Sequence, residues 1–239
     1  MAKRAVASVN ADFLSVLLFL TERSIVPQKP SGTLIESAKR IHRATHSLIL
    51  WRFRLNSVPA HGQVFIEEIA SDALQVLPQV LMGYSKTAKL LIRGIIENTF
   101  RHLYFLDHPI EFARMNRDAK WYLTMETLME YPKTHPIFLE SETKFDALNR
   151  LSSLYSELSG GIHGRTVQDL EMRIALTKIT YDQDAMRKQV DLTEKCAEAV
   201  NFLLAMFHHE RVRGFQTEDR RIILRTMAPR ARQVCQDFT

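Results

Sequence analysis

The chain has 239 residues, 46% of them hydrophobic, with only eight glycines and eight prolines. This composition excludes a disordered chain and disfavours a fold of many short strands, because few turn residues are present. The net charge of +5 is modest, and the two cysteines form neither a metal-binding motif nor a disulfide framework. Such cysteine usage is typical of a reducing compartment, so we expect a cytoplasmic protein.

The first predicted element is a helix over residues 11–23, which contains the largely apolar run FLSVLLFL. Two basic residues, Lys3 and Arg4, precede this run, as they would in a signal peptide. However, Asp12 interrupts the approach to the run, and the sequence TER that follows is a poor cleavage site. A run of eight residues is also too short to span a bilayer. We therefore predict a core helix and no membrane association.

Helical periodicity predicts three further helices, over residues 33–54, 64–82 and 86–106. The first of them has an apolar and a basic face, which is typical of a surface helix. Its apolar face comprises Leu34, Ala38, Ile41, Thr45 and Leu48, and its other face comprises Lys39, Arg40, Arg43 and His46. Trp51 is predicted to lie in the core, and Pro78 should kink the next helix. Helix 86–106 is apolar nearly all round, so we expect it at the centre of the fold.

The second half of the chain is predicted to be helical as well. Helices are expected over residues 111–129 and 140–158, from Asp182 or Asp184 to residue 213, and over 218–225. Glycines at 160 and 161 should end the second of these, and residues 164–180 should be irregular or a short helix. No strand pattern appears. The sequence thus predicts an all-α fold, a single-domain helical bundle of seven to nine helices.

Charged residues interrupt the apolar helix 86–106. Arg93, Glu97 and Arg101 recur every four residues, and Asn98 and His102 flank them. Because a buried charge is costly unless it is paired, this stripe has two interpretations. It is either an internal salt bridge that fixes the packing of the helix or a polar pocket between helices.

The segment YSELSGGIHG, residues 155–164, supplies a second set of polar groups. His163 follows two glycines, which allow a close backbone approach, and a histidine there can donate or accept a proton near neutral pH. A lone histidine is nevertheless more often structural. Tyr155 and Ser159 precede it by eight and four residues, but a helix that ends at the glycines would not keep the three on one face.

The segments LLIRGIIENTFRHLYFLDHP and YSELSGGIHG together resemble the HEPN-like all-α proteins of bacteria and phage-defence loci, in the branch that places arginine and histidine on separate helices. The resemblance covers roughly residues 85–166. It implies a helical bundle, commonly a homodimer, that is either a metal-independent ribonuclease or an inactive binding module. Under this resemblance the HEPN-like core spans residues 61–213, after N-terminal helices in 1–60 and before a basic helix or tail in 214–239.

The resemblance implies RNA as a partner, with a protein partner from phage defence or a toxin–antitoxin system. His163 would transfer the proton, Arg93 would stabilise charge on the phosphoryl group, and Glu97 would orient one of them. The supporting residues would be Asn98, Arg101, Tyr155 and Ser159. No cofactor is expected. Two alternatives stay open: a non-catalytic interaction module, and sequence-independent nucleic-acid binding through Arg40, Arg43, Arg220, Arg221 and Arg225.

Two histidine patterns are candidate metal-binding sites by residue type. His42 and His46 have the HxxxH spacing of metal ligands on a helix. Basic residues surround them and no acidic third ligand is adjacent in the sequence, so we predict no metal site. The triplet His208, His209 and Glu210 lacks that spacing and is predicted to be a solvated helix end.

Overall fold

The computed structural model describes residues 9–163 and 182–238, apart from the side chains of 140–144, 161–163 and 238. Every regular element in these ranges is a helix, which confirms the all-α prediction. Twelve helices occur within the described part of the chain: α1 (Val9–Glu22), α2 (Gly32–Arg54), α3 (Ala60–Leu81), α4 (Ser85–Asp107), α5 (Pro109–Arg117), α6 (Met125–Thr134), α7 (Pro136–Phe145), α8 (Ala147–His163), α9 (Gln183–Phe207), α10 (His209–Arg213), α11 (Thr217–Arg225) and α12 (Pro229–Phe238). None of these helices has both the length and the apolar character that crossing a membrane requires.

The helices outnumber the seven to nine expected because several predicted helices are divided. Predicted helix 111–129 is two helices: Asp118 has extended backbone angles, and Thr124 then caps α6 by accepting a bond from the Thr127 amide at 3.2 Å. Predicted helix 140–158 is interrupted at Asp146, whose φ of 62° is left-handed and breaks the helix between α7 and α8. The helix expected to reach residue 213 ends at Phe207, where α9 gives way to α10.

The prediction that the two glycines end a helix was wrong, because α8 continues through them to His163. Glycine weakens an isolated helix by about 1 kcal/mol per residue, but tertiary packing overrides that preference. Here Leu158, Ser159 and Gly160 are all buried against the rest of the fold. Positions 155, 159 and 163 therefore occupy neighbouring positions on one side of a single helix, spread over about 12 Å.

Helix α4 lies at the centre, as predicted, and packs against α3, α8 and α9. Its contact with α3 is especially close at Gly62, where an added methyl group would lie 2.6 Å from Leu106 Cδ1. The predicted apolar face of α2 is fully buried, and Trp51 is also buried, as expected. The indole N–H of Trp51 donates to Asn201 Oδ1 at 2.7 Å, which joins α2 to α9.

Two pairs of contacts fix the directions of α4, α8 and α9. Gln189 donates to the Ser85 carbonyl at 3.3 Å and His102 contacts His208, so α4 and α9 run parallel. Phe145, just before α8, packs on Phe202 late in α9, and Arg150 lies 3.8 Å from the earlier residue Glu198. Helix α8 is therefore antiparallel to both α9 and α4. It follows that α8 runs from Tyr155 to His163 towards the level at which α4 begins.

Candidate functional site

A polar cluster joins α4 to α8 and contains three of the residues that the sequence singled out. Arg93 donates from Nε to Glu97 Oε1 at 2.9 Å and from Nη2 to the Tyr155 hydroxyl at 3.0 Å. The Tyr155 hydroxyl in turn donates to Glu97 Oε1 at 3.3 Å. The Arg93 guanidinium also lies over the Tyr155 ring, 5.0 Å from its centre. The two segments that carry the resemblance thus meet in space, although 62 residues separate Arg93 from Tyr155.

Two of the predicted supporting residues extend this cluster along α4. Arg101 donates to Asn98 Oδ1 at 3.0 Å, and its Nη2 lies 3.5 Å from Glu97 Oε2. The side chains of Arg93 and Glu97 are each about one-fifth exposed, at 21% and 20%. The stripe is therefore an internal ion pair that remains open to solvent along one edge. The internal salt bridge of the first interpretation is therefore present, while the polar pocket stays a prediction.

The other two residues of the predicted site lie further along α8. Ser159 is buried, and its hydroxyl has no hydrogen-bond partner among the described residues. Burying a hydroxyl without a hydrogen-bond partner costs free energy of folding, so a polar group that bonded to Ser159 would be stabilising. His163 is the last residue of α8, but its side chain lies outside the described residues, as does the predicted segment 164–180.

Asp72, a residue that the sequence analysis did not select, faces the same cluster from α3. Gly94 lies opposite on α4, and a methyl group at that position would overlap the Asp72 carboxylate. Burial raises the pKa of Asp72 to about 6, with further contributions from Glu68 and Glu97. A carboxyl group whose pKa is raised towards neutrality thus lies beside the Arg93–Glu97 pair. The sequence carried no signal for it, because Asp72 reaches the cluster only through the packing of α3 on α4.

We expect Asp72→Asn to raise the free energy of unfolding at pH 7 by about 1 kcal/mol, a value discounted for partial solvent exposure. The folded-state pKa lies above the unfolded value of 3.8, so folding disfavours the ionised carboxylate at pH 7. The gain should shrink as the pH falls from 6 towards 3.8, as measured by urea unfolding. Glu67→Gln, at an exposed position of the same helix, is the control and should change little. A loss of stability in Asp72→Asn at pH 7 would contradict this account.

The predicted nucleic-acid-binding arginines lie in two different environments. Arg43, Arg221 and Arg225 line one cleft of about 470 Å³ between α1, α2 and α11, together with Val9, Asn10, Glu218 and Ile222. Arg221 is paired there with Glu218. Arg40 lies in a second cleft of about 280 Å³ that Arg43 and Arg225 also line, and it forms a two-pronged ion pair with Glu194 at 2.9 and 2.6 Å. Arg220 is half-buried and lines neither cleft. The five arginines are therefore not one free basic surface.

A histidine–carboxylate triad lies at the junction of α1 and α2. His42 Nε2 is 2.8 Å and His46 Nδ1 is 3.1 Å from Asp12 Oδ2. Burial lowers the pKa of His42, so this ring is neutral at pH 7. The HxxxH spacing identifies the two histidines in the sequence but not the carboxylate, because Asp12 precedes His42 by 30 residues and belongs to another helix.

A second histidine pair was also missed. His208 was predicted to be solvated, but it is buried, and its Nε2 lies 2.8 Å from Nε2 of His102. His102 Nδ1 lies 2.9 Å from the Gly62 carbonyl oxygen, so this nitrogen carries the proton and donates. His208 must then donate to the bare Nε2 of His102. Burial lowers the pKa of His102 to about 4 and also lowers that of His208.

Comparison of the chain with protein-family models, curated proteins and solved structures finds no match.

Proposed function

We propose that this is a HEPN-like cytoplasmic protein that acts on RNA as a metal-independent endoribonuclease, with the Arg93–Glu97–Tyr155 cluster as part of its site. The observation that carries the proposal is the 3.0 Å bond from Arg93 to Tyr155, which unites the two segments that resemble the family. The proposal includes a homodimer and a protein partner in phage defence or a toxin–antitoxin system.

The chemistry follows from the residue types. A base removes the proton from a ribose 2′-hydroxyl, and the freed oxygen attacks the adjacent phosphorus. The bond from phosphorus to the 5′ oxygen breaks, and an acid protonates that oxygen. We assign the proton transfers to His163, so its imidazole and the Arg93 guanidinium would reach the phosphate from positions about 12 Å apart along α8. Arg93 would stabilise the charge on the phosphoryl oxygens, while Glu97 and Tyr155 hold its guanidinium in a fixed orientation. The products would carry a 2′,3′-cyclic phosphate and a 5′-hydroxyl.

A non-catalytic interaction module is the second candidate. It is favoured by the mutual pairing in the cluster: Glu97 neutralises Arg93, and the Tyr155 hydroxyl accepts from Arg93 and donates to Glu97. In this alternative the cluster fixes the packing of α8 on α4 and contacts no substrate. Binding of nucleic acid through arginines alone is the third, and it would be steeply dependent on salt.

The test is incubation of the full chain with RNA in excess EDTA, followed by analysis of the RNA ends. We expect cleavage that leaves cyclic phosphate, and a loss of at least about 100-fold in rate for Arg93→Ala and for His163→Ala. Tyr155→Phe should lose less, because it removes a positioning hydroxyl and keeps the ring. Arg187→Ala, an exposed arginine of α9 that pairs with Asp184, is the matched control and should cleave as the wild type does.

Each other outcome has a definite meaning. Folded wild-type protein that leaves RNA intact contradicts the nuclease proposal and favours the module. Cleavage that persists unchanged in both Arg93→Ala and His163→Ala places the activity elsewhere. RNA binding without cleavage, weakened by Arg43→Ala and Arg225→Ala and unaffected by His163→Ala, supports binding through the basic cleft.

A further inference from the structure

We propose that Asp12, His42 and His46 bind one divalent transition-metal ion, Zn²⁺ by their donor set, and that this ion clamps helix α1 onto helix α2. The site is separate from the Arg93–Glu97–Tyr155 cluster. It does not depend on the function proposed above, which needs no metal.

Three donor atoms converge at this junction. His42 Nε2, His46 Nδ1 and an Asp12 oxygen all lie within 4.8 Å of one another. In a tetrahedral zinc site with bonds of about 2.0–2.1 Å, neighbouring donor atoms lie roughly 3.3 Å apart. The two nitrogens are 2.8 and 3.1 Å from one oxygen of Asp12, so each of these two N–O pairs needs to widen by only a few tenths of an ångström. The two nitrogens lie within 4.8 Å of each other, so that pair has to close at most to the same spacing. The helical spacing of four residues keeps both imidazoles on the same side of α2.

The surroundings of the triad bury its ligands, and the remaining ring nitrogens, His42 Nδ1 and His46 Nε2, have no hydrogen-bond partner among the described residues. The side chain of His42 is 7% exposed and that of His46 is 13% exposed. The buried ring of Phe13, the residue after Asp12, packs 5.4 Å from the His42 ring. Apolar walls of this kind limit solvent access and strengthen the attraction between a cation and its carboxylate. Asp12 is the most exposed member at 39%, so an ion can enter from its side.

The donor set selects the ion. Two imidazole nitrogens and one carboxylate oxygen suit Zn²⁺ and related transition metals, whereas Mg²⁺ and Ca²⁺ prefer sites made of oxygen alone. Three protein ligands leave a fourth position for water. The cleft lined by Arg43, Arg221 and Arg225 borders the same helices, since Val9 and Asn10 precede Asp12 and Arg43 follows His42. Its positive charge weakens the binding of a cation, so the Asp12 carboxylate is the ligand whose negative charge has to offset that repulsion.

The consequence of such a site is mechanical. The prediction that α1 is a core helix was wrong, because it buries only Phe13 and Leu20 and leaves Leu14, Leu18 and Phe19 more than half exposed. A metal bound by Asp12 and the two histidines would link residue 12 to residues 42 and 46. A ligand that binds only the folded state stabilises that state, so Zn²⁺ at about 100 times its Kd should raise Tm by about 5–10 °C.

The test uses the full chain without a histidine tag, stripped with a chelator and dialysed. Zn²⁺ is titrated by calorimetry, and Co²⁺ is added in parallel to record the absorption bands of the bound ion. We expect one Zn²⁺ per chain, a Co²⁺ spectrum typical of four-coordination, and a Tm that rises with Zn²⁺. Asp12→Asn and His46→Ala should lose at least about 100-fold in affinity, because each removes a ligand. His209→Ala, on the neighbouring short helix α10, is the matched histidine control and should bind as the wild type does.

Two results would overturn the proposal. One is a wild-type chain that binds no Zn²⁺ and keeps the same Tm with and without it. The other is equal Zn²⁺ affinity in the wild type, Asp12→Asn and His46→Ala, which would place the ion elsewhere. Asp12→Asn keeps the size of the side chain at a partly exposed position, so it separates loss of the ligand from loss of the fold.

Discussion

Replacing Arg54 with leucine should lower the free energy of unfolding by about 3–5 kcal/mol, because it leaves a buried carboxylate without its cation. Arg54 at the end of α2 forms an ion pair with Asp219, which is fully buried. Asp219 lies in the first turn of α11, where the helix dipole favours a negative charge. That dipole offsets part of the loss, so we expect a value near the lower end of the range. Urea unfolding at pH 7 measures the effect.

Two variants make this test specific. Arg52→Leu removes an exposed arginine from the same turn of α2 and should change the stability by less than about 0.5 kcal/mol. The double variant Arg54→Leu with Asp219→Leu removes both charges and should recover most of the loss. If Arg54→Leu costs no more than Arg52→Leu, the buried pair does not hold α11 to α2.

Acid should destabilise the protein by roughly 3 kcal/mol through His102 alone, as the pH falls from 6.5 to about 4. The folded-state pKa of about 4 lies below the unfolded value of 6.5, so the unfolded chain binds the proton first. The stability that the neutral ring contributes is therefore complete above pH 6.5 and lost as the pH falls towards 4. His208 acts in the same direction, because burial and the neighbouring His102 lower its pKa as well.

The measurement is urea unfolding of the wild type and of His102→Asn at several pH values between 4 and 7. Asparagine does not titrate, so this variant should be less sensitive to acid. It should also be less stable at pH 7, because it keeps a donor for the Gly62 carbonyl but loses the imidazole that contacts His208. The two curves should approach each other at low pH. His209→Asn, at the position next to His208, is the control and should follow the wild type closely. Parallel curves for the wild type and His102→Asn would show that this ring is not the acid-sensitive group.

Local signals predicted the helices better than their interruptions. The apolar face of α2 and the all-round apolarity of α4 identify both helices, because burial imposes a helical period on the sequence. The glycines at 160 and 161 were interpreted as a helix end, but the burial of their neighbours holds the helix together. The break at Asp146 was missed because aspartate adopts a left-handed conformation only occasionally, and no neighbouring residue indicated it.

The candidate sites show the same contrast: contacts within one helix were predictable from the sequence, and contacts between helices were not. Arg93 and Glu97 were identifiable because their spacing places them on one side of a single helix. Their contact with Tyr155, the approach of Asp72 and the completion of the histidine pair by Asp12 all depend on how separate helices pack. No local pattern encodes such packing. Residues that act across helices were therefore found only when a family resemblance joined their segments, as for Arg93 and Tyr155.

The late position of α9 in the chain has a consequence for folding during synthesis, because α9 packs on α2 and α4. Helices α2, α3 and α4 are consecutive and pack side by side, so their contacts can form early. Helix α9 then joins residues as distant as Trp51 and Asn201, which are 150 positions apart. At ribosomal rates the interval between the end of α4 at residue 107 and the start of α9 at residue 183 lasts about 4–15 s. Throughout that interval the nascent chain leaves exposed the apolar surface of α2 and α4 that α9 later covers.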